Sequence, residues 1–206
     1  QIEAVNDLIK GRDIDAIVMS AGGNDVGFGS ILTSCALQND CPLARATTLP
    51  LSAYPTIQTG IQALTAELPT GYSLINTCFT DSTCTGTQNQ NLPGLSLSPI
   101  GQVFLNSYPD PTRSETGSTC SYLTISQEDF AWAHDTILDP SPVDPFMYRT
   151  TQGRVVPLSS GAGSLNGAIA NTAQIGWKPI MGTWSETGTG STGHGVCADE
   201  QSWIFG

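Results

Sequence analysis

The sequence predicts an α/β domain organised around a mainly parallel sheet. Short, near-continuous apolar runs of strand length alternate with segments of helical period, which is the pattern of βαβ units. The first such run, Asp15-Ala16-Ile17-Val18-Met19-Ser20-Ala21, follows a helical segment and ends in Gly22-Gly23, as strands covered on both faces do. The composition agrees: 39% hydrophobic and 12% charged, with 22 Gly and 13 Pro, describes a folded, loop-rich chain and not a disordered one. At 206 residues there is room for one ordinary core. No repeat or linker divides residues 1–206, which read as a single domain.

The elements follow in order. Ile2, Val5, Leu8 and Ile9 recur at helical spacing, and Gly11 stops that helix. Residues 15–21 are the strand. Residues 52–68 repeat the helical pattern (Ile57, Ile61, Leu64, Leu68), and Pro69-Thr70-Gly71 is expected to turn the chain into a strand over 73–77. A polar stretch precedes the next strand, Val103–Ser107, which Tyr108-Pro109-Asp110-Pro111 ends because proline cannot extend a ladder. Ser126 caps a helix through about residue 138, with Glu128 and Asp129 in its first turn. Residues 139–160 carry four prolines and read as a long loop. A last helix (Leu165, Ile169, Ala173, Ile175) leads to a strand over 177–182.

Charge narrows the partners. Seven basic residues against 18 acidic ones give a net charge of −11, which argues against nucleic acid and anionic membranes. No apolar run approaches the roughly 18 residues of a membrane-spanning helix. Gln1 reads as an internal or processed start, with neither an initiator Met nor a signal peptide. Six cysteines stand at 35, 41, 78, 84, 120 and 197. Their even number and the close 35/41 and 78/84 spacings suggest two small disulfide loops, with Cys120 and Cys197 closing a long one. This pairing is one of the fifteen that six cysteines allow. Metal ligation is the rival reading, but C-x-x-C is absent and only two histidines occur. Disulfides, with few lysines and much Ser, Thr and Gly, point to an extracytoplasmic protein.

Gly22-Gly23-Asn24-Asp25 lies at the carboxyl end of the first strand, where open α/β sheets place their ligands. Glycine lets the backbone turn sharply there and approach a substrate closely. The amide of Asn24 offers two neutral donors and no base, which suits a developing oxyanion. Asp25 cannot donate when ionised and is expected to cap the next helix or brace the loop. A plain turn, with asparagine tolerating a left-handed backbone, is the simpler alternative for these four residues.

The surroundings favour the chemical reading. The segment Ile17–Phe28 with nearby Cys35, the run Asn106-Ser107-Tyr108-Pro109-Asp110-Pro111-Thr112-Arg113 followed by Gly117 and Cys120, then Leu165–Ile169, Gly176-Trp177, and Gly193-His194-Gly195-Val196-Cys197 with Trp203-Ile204 all keep one order. Together they resemble the SGNH, or GDSL, hydrolase family in its secreted bacterial esterase and lipase branch. The resemblance implies a three-layer α/β/α, flavodoxin-like domain that hydrolyses carboxylic esters without a cofactor. It implies a serine nucleophile activated by histidine, and an oxyanion held by the serine amide, a glycine amide and Asn24, with Gly22 and Gly23 in the same oxyanion region. It also implies the 35–41 and 120–197 disulfides, leaving 78–84 as a local addition.

The chain departs from that family at three blocks. No G-D-S nucleophile block occurs; Asp81-Ser82 lacks the glycine, sits between two cysteines and reads as loop. The glycine block expected before Gly22-Gly23 and the D-x-x-H-P block are absent too. Of the two histidines, His194 could act as a base with Asp199 or Glu200, but it occupies a place the family fills with a structural residue. His134 reads as a surface residue in mid-helix. A metal cluster of His194, Cys197, Asp199 and Glu200 competes with the disulfide for the same cysteine. Trp132, Trp177, Trp184 and Trp203 fit core or rim packing better than a glycan platform.

The reading is therefore an ester hydrolase whose nucleophile and base lie outside these 206 residues. The sheet is then incomplete, residues 15–21 form an unpaired edge, and a further segment or a second chain is needed to complete it. A non-catalytic module binding glycans on the same scaffold is the alternative, and a permuted or complementation arrangement is a third.

Overall fold

The computed structural model describes residues 2–85, 91–122, 124–161, 163–181 and 195–198. It has the predicted α/β architecture, a parallel sheet flanked by helices. Helix α1 (Ile2–Ile9) gives way through left-handed Lys10 and Gly11 to strand β1 (Ile14–Met19). A tight turn over 22–27 opens helix α2 (Phe28–Leu37), and helix α3 (Ile57–Thr80) follows after two short 3-10 turns. The pair β2 (Thr83–Thr85) and β3 (Asn91–Pro93) forms a small antiparallel ribbon ahead of β4 (Leu97–Asn106). Helix α4 (Gln127–Trp132) widens into a π-helical turn over 133–138. Strands β5 (Phe146–Arg149) and β6 (Val155–Leu158) pair as a hairpin, and α5 (Leu165–Ala170) leads to β7 (Lys178–Ile180).

Among the described residues the main sheet has the order β1-β4-β7, all parallel. Ile17 faces Val103, Val18 faces Phe104 and Met19 faces Leu105 across the first pair, after an irregularity between Ile14 and Ala16. Strand β1 is thus an edge, as expected. Its covered face, with Ile17 and Met19, packs on a core of Leu68, Tyr72, Phe79, Val103, Leu105, Leu165, Ile169 and Trp177. The double covering predicted for this strand is incomplete: Ala16 and Val18 are exposed, Val18 by 64%.

A second core gathers Ile31, Leu51, Ile57, Ile61, Trp132, Leu138, Phe146 and Tyr148 beneath α2, α4 and the hairpin. Helix α3 runs through both, with Leu64 packed against each. It is one helix of 24 residues, not the predicted helix, turn and strand. The reason lies in its inward stripe. Ile57, Ile61, Thr65, Leu68 and Tyr72 are buried at intervals of three or four residues, and Phe79 two turns further on, so the stripe runs on both sides of Pro69. Proline within a helix costs about 3 kcal/mol, whereas each large apolar side chain buried returns about 1.5–3 kcal/mol. Tyr72 and Phe79 alone outweigh the break. At the amino end Thr56 and Thr59 form a reciprocal capping box.

The three disulfides join Cys35 to Cys41, Cys78 to Cys84 and Cys120 to Cys197. The last spans 77 residues, and in the chain-entropy account a loop of that size stabilises most, by about 4–5 kcal/mol. The predicted loop over 139–160 contains the β5–β6 hairpin, whose Phe146 and Tyr148 point inward while Met147 and Arg149 are exposed. Pro69 is exposed on α3, so replacing it restores a backbone donor without disturbing the core. Pro69→Ala should raise the unfolding free energy by about 2 kcal/mol after allowing for the freer unfolded chain, read as a higher urea midpoint at unchanged m.

Candidate functional site

The turn after β1 is shaped by two tyrosines. Gly22 has φ +111°, a conformation side chains rarely adopt. A Cβ there would collide with the Tyr72 hydroxyl and come within 3.1 Å of a Leu165 methyl. At Gly23 a Cβ would lie 2.5 Å from the Tyr108 ring. The two hydroxyls then hold what the glycines leave open. Tyr72 donates to the Ala21 carbonyl at 3.0 Å, and the Gly23 N–H donates to the Tyr108 oxygen at 2.7 Å. Backbone bonds from Val26 to Gly22, Gly27 to Asn24 and Phe28 to Gly23 close the turn.

Each tyrosine is anchored in turn. Fully buried Asn166, on α5, accepts from the Tyr108 N–H at 2.7 Å and donates to the Tyr108 carbonyl at 3.1 Å. Tyr72 packs on Trp177 with ring centroids 5.8 Å apart, and the Trp177 indole donates to Asn76 at 2.6 Å. Burial above all, then the neighbouring Tyr108 and Asp25, pushes the Tyr72 hydroxyl well above the ordinary tyrosine range. Sequence reasoning missed Tyr72, Tyr108 and Asn166 as the framework of the turn. Tyr72 fell between the expected turn at 69–71 and the expected strand over 73–77, where the chain is one helix, and no local pattern betrays the Asn166 contact.

Of the predicted site residues, Gly22 and Gly23 are buried in the turn and Asn24 is exposed at its outer end. The Gly23 amide is committed to Tyr108, so it serves the turn's shape. Among the described residues the Asn24 side chain has no hydrogen-bond partner. A groove of about 480 Å³ adjoins, lined by Ala21 and Asp25 on one side and α3 on the other, though Asn24 itself does not line it. Asp25 does not cap α2. That helix starts at left-handed Gly27 with no side-chain cap, and Asp25 is exposed. Ser82 is exposed just past the end of α3, in loop as expected.

His134 is not the surface residue expected. It is 7% exposed, and its Nδ1 lies 2.9 Å from Oδ2 of buried Asp110. Its Nε2 is 3.7 Å from Asp135, which also pairs with Arg113 at 3.6 Å. The other Asp110 oxygen accepts from the Thr112 N–H and hydroxyl. The ring is buried because the π-helical turn after α4 sets it against the Tyr108–Arg113 segment, so this histidine braces a loop between carboxylates. Gly195 and Val196 bond back to Arg113 and Pro111 beside the Cys120–Cys197 bridge. His194, Asp199 and Glu200 lie outside the described residues, as do Trp184 and Trp203. Trp132 and Trp177 are core residues. Among the described residues no group of His, Cys, Asp and Glu could hold a metal ion.

No protein-family model and no curated protein matches the chain. Among solved structures, the crystal structure of phospholipase A1 from Streptomyces albidoflavus NA297 is similar at 15% identity with a TM-score of 0.43. The alignment covers 94% of this chain and 60% of that one, so the chain spans less than two thirds of that protein's length.

Two outcomes are expected from the tyrosine framework. Tyr108→Phe leaves the buried Gly23 N–H without its acceptor and should cost about 1–3 kcal/mol in chemical denaturation. Because the Tyr72 pKa is raised above its unfolded value of 10.0, the bonded hydroxyl stabilises fully below about pH 10 and less as pH climbs toward its folded value. Tyr72→Phe should therefore flatten the alkaline fall of stability, measured as Tm against pH.

Proposed function

We propose that residues 1–206 form the oxyanion-stabilising part of a secreted carboxylic ester hydrolase of SGNH type, whose nucleophilic serine and base histidine lie outside this chain. The observation that carries the reading is Asn24. Its amide is exposed and without a partner among the described residues, on a turn that two tyrosines hold at the carboxyl end of β1. A turn held this way limits how far its backbone must reorganise when charge develops on a nearby oxygen.

The free edge of β1 supports the second half of the proposal. Its ladder groups on that side are unpaired among the described residues, and a parallel strand added there would end beside the same turn. A serine at its carboxyl end would then stand where an acyl carbon could meet both its oxygen and the Asn24 amide. Serine attacks the carbonyl carbon as histidine takes its proton. Asn24 hydrogen-bonds to the resulting oxyanion, and collapse expels the alcohol with that proton. Water repeats the sequence on the acyl-enzyme. Three disulfides favour an oxidising compartment, and among the described residues no helix is long and apolar enough to cross a membrane. The proposal puts the protein outside the cell, which the disulfides support, with a small-molecule, lipid or glycan ester as substrate.

The isolated chain should not hydrolyse p-nitrophenyl acetate, and serine-inhibitor-sensitive turnover by it would overturn the proposal. In a longer protein that also carries the nucleophile and base, Asn24→Ala should lower kcat by about 10²–10³ with KM little changed. Unaltered kcat in that variant would assign Asn24 to the turn alone.

A further inference from the structure

The groove between α3 and the turn after β1 has features that neither the core nor the oxyanion proposal uses. Its volume, about 480 Å³, falls within the roughly 300–1,000 Å³ of ordinary small-molecule sites. The wall is largely aliphatic, made by Leu64, Leu68, Leu74 and Ile75 of α3 with Ala21 opposite. Leu74 is 57% exposed, an apolar surface left uncovered along the wall. The Tyr72 hydroxyl at the groove is already spent on the Ala21 carbonyl.

Two further observations give the groove a character. Asp25 and Glu67 line it and are exposed, and among the described residues neither has a hydrogen bond or an ion pair. Among the described residues no lysine or arginine lines it. Gly71 also lines it, and here glycine has no conformational reason: its φ is not positive, and a Cβ would meet nothing within 4 Å. Glycine inside a helix weakens it relative to alanine. The missing side chain leaves that stretch of the wall open.

We propose that this groove binds one molecule of an unbranched alkyl chain bearing a cationic head group. The chain lies along α3 against Leu64, Leu68 and Ile75, and the ammonium sits at the rim beside Asp25 and Glu67. Burial of methylenes supplies affinity, while the two carboxylates select the sign of the head group. This site does not depend on ester hydrolysis and is tested without it.

The test uses the 206-residue chain with dodecyltrimethylammonium and dodecyl sulfate, each below its micelle concentration and in 150 mM salt. Calorimetry gives stoichiometry and affinity, and amide shifts in NMR give location. One ammonium ion per chain is expected, at least tenfold tighter than the sulfate, with shifts concentrated at Leu64, Leu68, Gly71 and Ile75. Gly71→Phe, which fills the open stretch of wall, should abolish binding while far-UV circular dichroism is kept. Asp25→Asn with Glu67→Gln should erase the tenfold preference and spare alkyl binding, and this double variant serves if Gly71→Phe does not fold. Uptake of several ions per chain, indifference to these substitutions, or equal affinity for the two head groups would overturn the proposal and leave only general attraction to an acidic surface.

Discussion

The grip of Tyr72 and Tyr108 on the Gly22-Gly23 turn is the constraint from which the rest of the site follows. One hydroxyl donates to the carbonyl before the turn and the other accepts from an amide within it. Neither ring could approach so closely if either position carried a side chain. The glycines are therefore fixed by their neighbours as much as by their own backbone angles, and Asn24 inherits its position from that fit. The tyrosines come from different elements, one from mid-α3 and one from just past β4, so the turn is set only once helix and sheet have docked.

That docking explains why α3 tolerates a proline. Its first half belongs to the core under α2, α4 and the hairpin, and its second half to the core against the sheet. A helix ending at residue 68 would leave Tyr72 and Phe79 without a place in the second core. Strand β1 shows the opposite economy: among the described residues one face is packed, while the other face and the outer edge are open. Exposed Asp15 puts negative charge on this edge strand, the kind of guard that discourages indiscriminate strand pairing.

The sequence was most legible where a signal is local. The apolar run into Gly22-Gly23, the Ser126 cap with acidic Glu128 and Asp129 after it, the end of β4 before Tyr108 and the close cysteine pairs all read correctly, because propensity, pattern and contact agree within a few residues. It misled where distant burial overruled local preference. Pro69 argued for a break that the buried stripe forbids. The prolines of 139–160 hid a hairpin whose alternation, Phe146 and Tyr148 in and Met147 and Arg149 out, was nonetheless present. A two-stranded hairpin has an unpaired side on each strand, so Pro157 does not preclude it. His134 looked polar and therefore exposed; its burial rests on Asp110, 24 positions earlier, and no periodicity reports such a pair. Within the candidate site the turn itself was readable, whereas its tyrosine supports and Asn166 were not.

Tyr72 has a double position: it lines the groove and it holds the Ala21 carbonyl. Any guest molecule that favours one setting of this ring must favour the matching setting of the backbone two residues ahead of Gly23, and the reverse holds with equal strength. A guest that displaced this ring would therefore loosen the hold on the carbonyl that leads into the turn bearing the exposed asparagine.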